Sequence, residues 1–200
     1  MTDNPSYDHS KNHHNHLFDP KNIQRLESKD RKAQQDPQKI IKLLSLDAPD
    51  IVADLGCGAG YFAIPLSHRV SKVYGIDVQQ EMLDYLAQKL QKQNITNIKL
   101  LLSKDGNQIP LESKSVTALL SVMTLHEFQD KNQMIKEIQR VLRPGGKVLI
   151  IDFKKEDAIS GPPVSIRVSQ QQAIELFAKE NLSLIDSRDL KSHYLLIFQK

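Results

Sequence analysis

Cysteine is nearly absent from this chain, in which Cys57 is the only one among 200 residues. A single cysteine permits no internal disulfide and excludes a metal site built from several cysteines, so a reducing compartment is the default expectation. Also missing is any run of about 18 apolar residues, the length that a membrane-spanning helix needs. Residues 1–16 are polar and lack the apolar centre of a signal peptide. We therefore expect a cytoplasmic protein without a membrane partner.

An excess of one charge is missing as well. The 27 basic and 24 acidic residues give a formal net charge of +3, and no long basic block occurs. This balance argues against nucleic acid as a partner. Apolar residues form 40% of the chain and charged residues 26%, as in globular proteins, and 200 residues suffice for one α/β domain. The sequence leaves the oligomeric state open.

The most informative segment joins a short apolar run to a glycine-rich turn. The run spans residues 51–55, and glycine then occupies every second position, as Gly56, Gly58 and Gly60. A strand that stops at such a turn and leads into a helix leaves backbone N–H groups open to a ligand. Glycine also lets the ligand approach the main chain closely. The segment therefore predicts a ligand site at the end of the first strand.

A second apolar strand, predicted at 72–76, ends in Asp77, whose carboxylate can accept both hydroxyls of a ribose. The glycine spacing then distinguishes between nucleoside cofactors. A dinucleotide fingerprint needs its third glycine at position 61, where this chain has Tyr61. Asp54, just before the glycines, places negative charge where a pyrophosphate would lie. Both observations disfavour an NAD-dependent oxidoreductase, which stays a lesser alternative.

The pattern D-x-G-x-G-x-G, followed by an acidic strand end, resembles the class I S-adenosylmethionine (SAM)-dependent methyltransferases. The loop at 103–110, Ser-Lys-Asp-Gly-Asn-Gln-Ile-Pro, resembles the acidic loop after the third strand of that family. Leu-Arg-Pro-Gly-Gly at 142–146 is similar to a turn of its small-molecule members. The segments at 18–31 and 152–167 resemble a narrower group of small, uncharacterised bacterial and archaeal methyltransferases of the methyltransferase-11 kind.

Strand and helix patterns alternate through the chain. The predicted strands are 51–55, 72–76, 98–102, 116–123, 147–153, 182–190 and 194–199. The predicted helices begin at Asp36-Pro37 and near Tyr61, and cover 82–90, 134–142 and 169–181. The alternation predicts a parallel sheet with helices on both faces, and the last two strands predict a hairpin. The expected fold is α/β, a doubly wound, seven-stranded, mostly parallel sheet of the Rossmann-like methyltransferase type with a C-terminal antiparallel hairpin.

The chain is expected to have three parts. Residues 1–16 are predicted to be a disordered, histidine-rich tail, residues 17–35 an N-terminal lid segment, and residues 36–200 the SAM-dependent methyltransferase domain. No metal site is predicted in the domain. Weak metal binding by the tail is an alternative to a solvated tail. The tail histidines are His9, His13, His14 and His16.

The resemblance implies a role for each matched residue. It assigns the glycine loop to the methionine part of SAM, Asp54 to its amino group, Asp77 to the ribose, and Asp105 to the adenine amino group. The implied cofactor-binding residues are Asp54, Gly56, Cys57, Gly58, Gly60, Asp77, Val78, Met82, Asp105, Gly106 and Ser121.

His126 follows the fourth predicted strand, whose end faces both the methyl donor and the acceptor in this family. An imidazole titrates near neutral pH, so His126 is the candidate general base, with pocket lining as the alternative. Segments 17–35 and 154–168 are expected to cover the acceptor site, with Lys154 and Arg167 meeting an anionic acceptor.

The sequence therefore predicts an enzyme that transfers a methyl group from SAM to a small-molecule acceptor of unknown identity. An Asn/Asp-Pro-Pro-aromatic motif, typical of members that methylate bases or glutamine, is absent after the fourth strand. Arsenite is excluded as acceptor because that chemistry needs several thiols. The alternatives are an RNA or protein methyltransferase, which a concentrated basic face would favour, and a SAM-binding protein without turnover.

Overall fold

A computed structural model gives the fold and describes residues 35–104, 106–156 and 161–200, together with Ile23. The strands are β1 (Ile51–Leu55), β2 (Lys72–Asp77), β3 (Ile98–Leu102), β4 (Val116–Val122), β5 (Leu142–Phe153), β6 (Ser183–Leu190) and β7 (His193–Gln199). The helices of four or more residues are α1 (Pro37–Lys42), α2 (Ala63–Ser67), α3 (Gln80–Lys92), α4 (Lys131–Val141) and α5 (Gln170–Lys179). The predicted tail and residues 17–34 of the predicted lid lie outside the described residues, apart from Ile23.

The seven strands form one sheet in the order β3-β2-β1-β4-β5-β7-β6. The first five strands pair in parallel, whereas β7 pairs antiparallel with both β5 and β6. The predicted mostly parallel sheet with an antiparallel hairpin is therefore confirmed. The order reverses between β1 and β4, and ligands of open α/β sheets bind at the carboxyl edge beside such a reversal.

Helices cover both faces of the sheet because the central strands bury both. In β1, Ala53 and Leu55 belong to the core cluster that also holds Ile135 of α4 and Phe177 of α5. Val52 points to the opposite cluster, which includes Leu66 of α2. Successive strand residues thus alternate between two apolar cores, as the two-residue period of a strand requires.

Helix ends follow their local sequence. The Asp36 carboxylate accepts the backbone N–H of Gln38 at 3.0 Å and Pro37 occupies the first turn, which confirms the start predicted there. Helix α5 begins with a capping box in which Ser169 and Gln172 satisfy each other's backbone N–H groups. These caps fix where α1 and α5 leave the loops.

Several predicted boundaries shift, and two of the shifts have a clear local cause. Helix α2 starts at Ala63 rather than near Tyr61, because the glycine turn extends to that point. Strand β5 begins at Leu142 rather than at residue 147, because Leu142 pairs with Val116 before the Pro-Gly-Gly sequence shifts the register. A turn sequence that lies beside a neighbouring strand can be accommodated as an irregularity within the pairing.

Within the ranges that the structure describes, no helix combines the length and the apolar character needed to cross a membrane.

Phe177 anchors α5 to the sheet. Its ring is fully buried and stacks on Phe198 of β7, with centroids 4.4 Å apart. We expect Phe177→Ala to lower the free energy of unfolding by about 3–5 kcal/mol, because it opens a core cavity. The control is Leu176→Ala, since Leu176 is only half-buried on the same helix. Urea unfolding that shows equal losses for the two variants would contradict this packing of α5.

Candidate functional site

The sheet order brings three loops to one edge. Strand β1 lies between β2 and β4, so the glycine turn after β1 lies between the end of β2 and the segment after β4. Because all three strands are parallel, their carboxyl ends meet at the same edge. The sequence-predicted residues Asp77, Gly58 and His126 therefore come from three neighbouring strand ends.

The glycine turn is held against both of its neighbours. The N–H groups of Gly56 and Cys57 both donate to the carbonyl of Ile76, at 2.8 and 3.0 Å. Gly56 has φ +75°, and a Cβ there would overlap the Cγ2 atom of Thr124. A Cβ at Gly60 would likewise overlap Leu86 of α3. Glycine is thus required at both positions for close packing.

Asp77 ties the end of β2 to the middle of the glycine turn. Its Oδ2 atom accepts the backbone N–H of Gly58 at 2.8 Å, and Oδ1 accepts the N–H of Gln79 at 3.0 Å. The residue is only 8% exposed, and burial raises the pKa of its carboxyl despite these bonds. Each carboxylate oxygen can accept more than one hydrogen bond, so both retain the capacity to bind a ligand hydroxyl.

Asp54 and Cys57 lie beneath the turn. Asp54 is 3% exposed, and the Cys57 side chain packs beside Gly75 in the cluster that includes Leu86. Burial, and then the charges of Asp54 and Asp77, raise the pKa of the Cys57 thiol well above its usual value. The thiol therefore stays protonated and is not a nucleophile. Cys57 shapes the turn from the core side.

An apolar surface lies beside Asp77. Val78 is 38% exposed, and a Cβ at Gly106 would lie 3.5 Å from its Cγ1 atom, so these two predicted residues lie side by side. Met82, also predicted to bind the cofactor, is buried in α3. Asp105 lies outside the described residues. The loop is closed at its base, where the Ser103 hydroxyl donates to the Gln108 carbonyl at 2.7 Å.

A pair of charged residues on α4 anchors the same loop, and sequence reasoning missed it. The Glu137 carboxylate accepts the N–H of Ile109 at 3.0 Å, while the Arg140 guanidinium donates to the carbonyls of Ile109 at 2.9 Å and Leu111 at 2.7 Å. Arg140 also binds Glu137 through two nitrogens, both at 2.7 Å. A buried glutamate three residues before an arginine, on a mostly apolar helix face, is the signal that marks such a pair.

The end of β4 carries two hydroxyls that face each other. Ser121 is fully buried, and its Oγ lies 2.5 Å from Oγ1 of Thr124. Thr124 in turn donates to the carbonyl of Leu55 at 3.5 Å, which links this segment to β1. Ser121 was predicted as a cofactor residue, whereas Thr124 was missed. Ser121 is the second-to-last residue of β4 and Thr124 lies two residues beyond the strand, and a polar residue at the end of an apolar strand is the signal for both.

His126 lies at the start of the segment after β4 and is 7% exposed. Its Nδ1 atom lies 2.7 Å from Oδ1 of Asp152, and its backbone N–H donates to Oδ2 of the same carboxylate at 2.9 Å. Asp152, at the end of β5, is fully buried and was not predicted. An acidic residue at the end of an apolar strand, as Asp77 ends β2, was the available signal.

A cavity of about 690 Å³ lies between this segment and α5. His126, Glu127 and Phe128 line one side, and Ile166 and Leu176 lie among the residues opposite. No residue of the glycine turn lines it, whereas His126 and Arg167, both singled out from the sequence, do. Its size is within the range of about 300–1,000 Å³ for small-molecule pockets.

The loop after β5 is held by its own cations. Arg167 is buried and donates to the carbonyls of Pro162, Lys154 and Glu156 at 2.8–3.1 Å. The Lys154 ammonium pairs with Asp189 at 2.7 Å. The two cations expected to meet an anionic acceptor are thus engaged within the chain, while Arg167 also lines the cavity, so their contact with an acceptor stays a prediction.

Gln35, the last residue of the predicted lid, contacts the same edge. Its carbonyl accepts the Tyr61 hydroxyl at 3.1 Å, and its side-chain amide lies 3.4 Å from the sulfur of Met123. The chain therefore enters the domain between the glycine turn and the segment after β4.

Comparison with known proteins agrees with this arrangement. The family model described as "Methyltransferase domain" matches residues 53–150. A demethylmenaquinone methyltransferase of Lactobacillus johnsonii is 35% identical over 118 residues, which are 58% of this chain and 48% of that protein. The chloroplastic 2-phytyl-1,4-beta-naphthoquinone methyltransferase of Arabidopsis thaliana is 33% identical over 113 residues, covering 54% of this chain and 43% of that one. The chain spans about half the length of the curated relatives that it matches.

The solved structure of a SAM-dependent methyltransferase from Aquifex aeolicus is similar over nearly its whole length. It superposes with a TM-score of 0.85 and 31% identity, covering 92% of this chain and 99% of that one. This relative extends the similarity to β6 and β7, beyond the residues that the family model matches. The chain belongs to the SAM-dependent methyltransferase family.

Proposed function

We propose that this chain transfers the methyl group of SAM to a small-molecule acceptor. The observation that carries the proposal is the carboxyl edge of β1 and β2, where Asp77 accepts the N–H of Gly58 and keeps capacity for two further hydrogen bonds. A ribose diol offers two hydroxyl donors at that spacing. NAD would use the same carboxylate, but its pyrophosphate would bring negative charge toward the buried Asp54.

The remaining residues fit the other parts of SAM. Val78 and Gly106 lie side by side next to Asp77, which suits the flat face of an adenine. The buried Asp54 beneath the glycine turn provides negative charge for the cationic amino acid part of SAM. Glu137 and Arg140 bind the backbone of Ile109 and so hold the loop that carries Gly106. These fits support the assignments of Asp54, Gly56, Gly58, Gly60, Asp77, Val78 and Gly106 as cofactor-binding residues.

Bound SAM supplies a methyl carbon activated by a sulfonium, so the reaction depends on alignment more than on a strong catalyst. The chain contributes by orienting both partners at the sheet edge and by excluding water. One side of that edge is formed by the glycine turn together with the hydroxyls of Ser121 and Thr124. His126 lies on the other side, held by Asp152. The side of His126 that faces the cavity of about 690 Å³ is where an acceptor would enter.

Two observations support a small-molecule acceptor. The curated relatives named above are described as methyltransferases of demethylmenaquinone and 2-phytyl-1,4-beta-naphthoquinone, which are small molecules. The cavity beside His126 also has the volume of a small-molecule pocket. An RNA or protein acceptor stays an alternative, and a SAM-binding protein without turnover is the other.

We expect the full chain to bind SAM and S-adenosylhomocysteine with dissociation constants in the low micromolar range or below. NAD should bind negligibly, because Tyr61 stands where a dinucleotide fingerprint has its third glycine and because Asp54 is buried under the turn. Isothermal titration calorimetry with the three ligands measures this directly. Binding of NAD together with no binding of SAM would show that the chain is not a methyltransferase.

Asp77→Ala should weaken S-adenosylhomocysteine binding by about 1.5–3 kcal/mol, the range for hydrogen bonds to a charged group. The fold should survive, because the residue lies at a strand end rather than in the apolar core. Asp84→Ala is the matched control, since Asp84 is an exposed carboxylate on α3. Unchanged affinity in Asp77→Ala, with the same calorimetric protocol, would place the ribose elsewhere.

A further inference from the structure

The carboxylate of Asp152 receives three N–H groups at once. Its Oδ2 accepts the backbone N–H of His126 at 2.9 Å, its Oδ1 accepts the backbone N–H of Phe153 at 2.7 Å, and Oδ1 also lies 2.7 Å from Nδ1 of His126. The residue has no exposed surface. A buried group of this kind is stable only when its polar atoms are satisfied, and these contacts satisfy both oxygens.

These contacts favour one tautomer of His126. An ionised carboxylate can only accept hydrogen bonds, so the short contact from Nδ1 to Asp152 requires the ring proton to be on Nδ1. In the neutral imidazole, Nε2 then carries the lone pair. Nε2 lies 4.0 Å from Oε1 of Glu127, beyond hydrogen-bond distance, and both residues line the cavity.

We propose that Asp152 is a positioning residue that holds His126 with its Nε2 lone pair toward the cavity, and that the methyl acceptor is a hydroxyl compound which gives its proton to Nε2. This inference rests on the proposed function and deepens it by naming the acceptor class. A neutral hydroxyl is a weak nucleophile until its proton leaves, so it gains most from such a base. An amine attacks through its own lone pair, and a thioether or a tertiary amine has no proton to lose.

The step balances in atoms and electrons. The acceptor oxygen forms a bond to the methyl carbon as the S–CH₃ bond breaks, and the electron pair of that bond stays on sulfur. The hydroxyl proton moves to Nε2 of His126, which becomes an imidazolium that the Asp152 carboxylate stabilises through Nδ1. The imidazolium then releases its proton to water.

Two neighbouring groups, Tyr194 and Lys131, are engaged by backbone carbonyls of the chain itself. The Tyr194 hydroxyl donates to the carbonyl of Val168 at 3.1 Å, and burial followed by the charge of Asp152 raises its pKa. The Lys131 ammonium donates to the carbonyl of Phe128 at 2.9 Å. Burial lowers the pKa of Lys131, and the nearby Asp152 charge partly opposes that shift.

Nitrogen NMR of the full chain, labelled with ¹⁵N-histidine, tests the positioning role without any acceptor. We expect wild type to show His126 with a protonated Nδ1 and an unprotonated Nε2. Asp152→Asn offers an amide N–H₂ among three donors, so it should move His126 toward the Nε2–H tautomer. The matched control is Asp189→Asn, an exposed carboxylate that pairs with Lys154, and it should leave the signals unchanged. An Nε2–H tautomer in wild type would overturn the inference even if Asp152→Asn fails to fold.

Turnover tests the acceptor class, with reduced 1,4-dihydroxynaphthalene as the probe and labelled SAM as donor. Wild type should methylate the probe, and His126→Gln should lower kcat by about 10²–10⁴-fold. Affinity of His126→Gln for S-adenosylhomocysteine should stay within a few-fold of wild type. No transfer to the probe, or an undiminished kcat in His126→Gln, would overturn the hydroxyl class. If wild type does not bind S-adenosylhomocysteine at all, that result would instead refute the proposed function.

Discussion

The hydrogen bond from the Gly58 N–H to the Asp77 carboxylate is the interaction on which the site depends. It joins the end of β2 to a turn that is also held by the carbonyl of Ile76 and packed against Thr124. The segment after β4 approaches the turn so closely that a Cβ at Gly56 would overlap Thr124, and His126 follows two residues further on. The Asp77 carboxylate thus links the end of β2 to the turn after β1, against which the segment after β4 packs.

Asp152 has a similar role at the end of β5, where it connects two segments of the chain. Both residues are carboxylates withdrawn from solvent at the carboxyl edge, and both accept backbone N–H groups of the chain. Withdrawing a carboxylate from water is unfavourable unless such donors surround it. For Asp77 burial still outweighs the donors and raises the pKa. The residue therefore gains from further donors, which is the property that a ribose-binding group needs.

The sequence predicted the sheet and its hairpin, because two-residue and 3.6-residue apolar periods differ clearly between elements such as β3 and α3. It also placed Asp77 and His126 at the carboxyl edge of the sheet, because Asp77 ends one apolar strand and His126 follows another. The partners were harder to predict: Asp152 is 26 residues from His126, and Glu137 is 28 residues from Ile109, so only the folded topology brings them together. The start of β5 was predicted wrongly, because Pro-Gly-Gly has the local pattern of a turn even where the pairing between β4 and β5 continues.

We propose that the edge formed by β1, β2 and β4 binds SAM. A crystal structure of the full chain with S-adenosylhomocysteine measures this most directly. We expect ribose hydroxyls within hydrogen-bond distance of the Asp77 carboxylate, adenine beside Val78 and Gly106, and the sulfur on the side of the glycine turn that faces Thr124 and His126. A ligand bound elsewhere on the chain, with Asp77 contacting only Gly58 and Gln79, would contradict it.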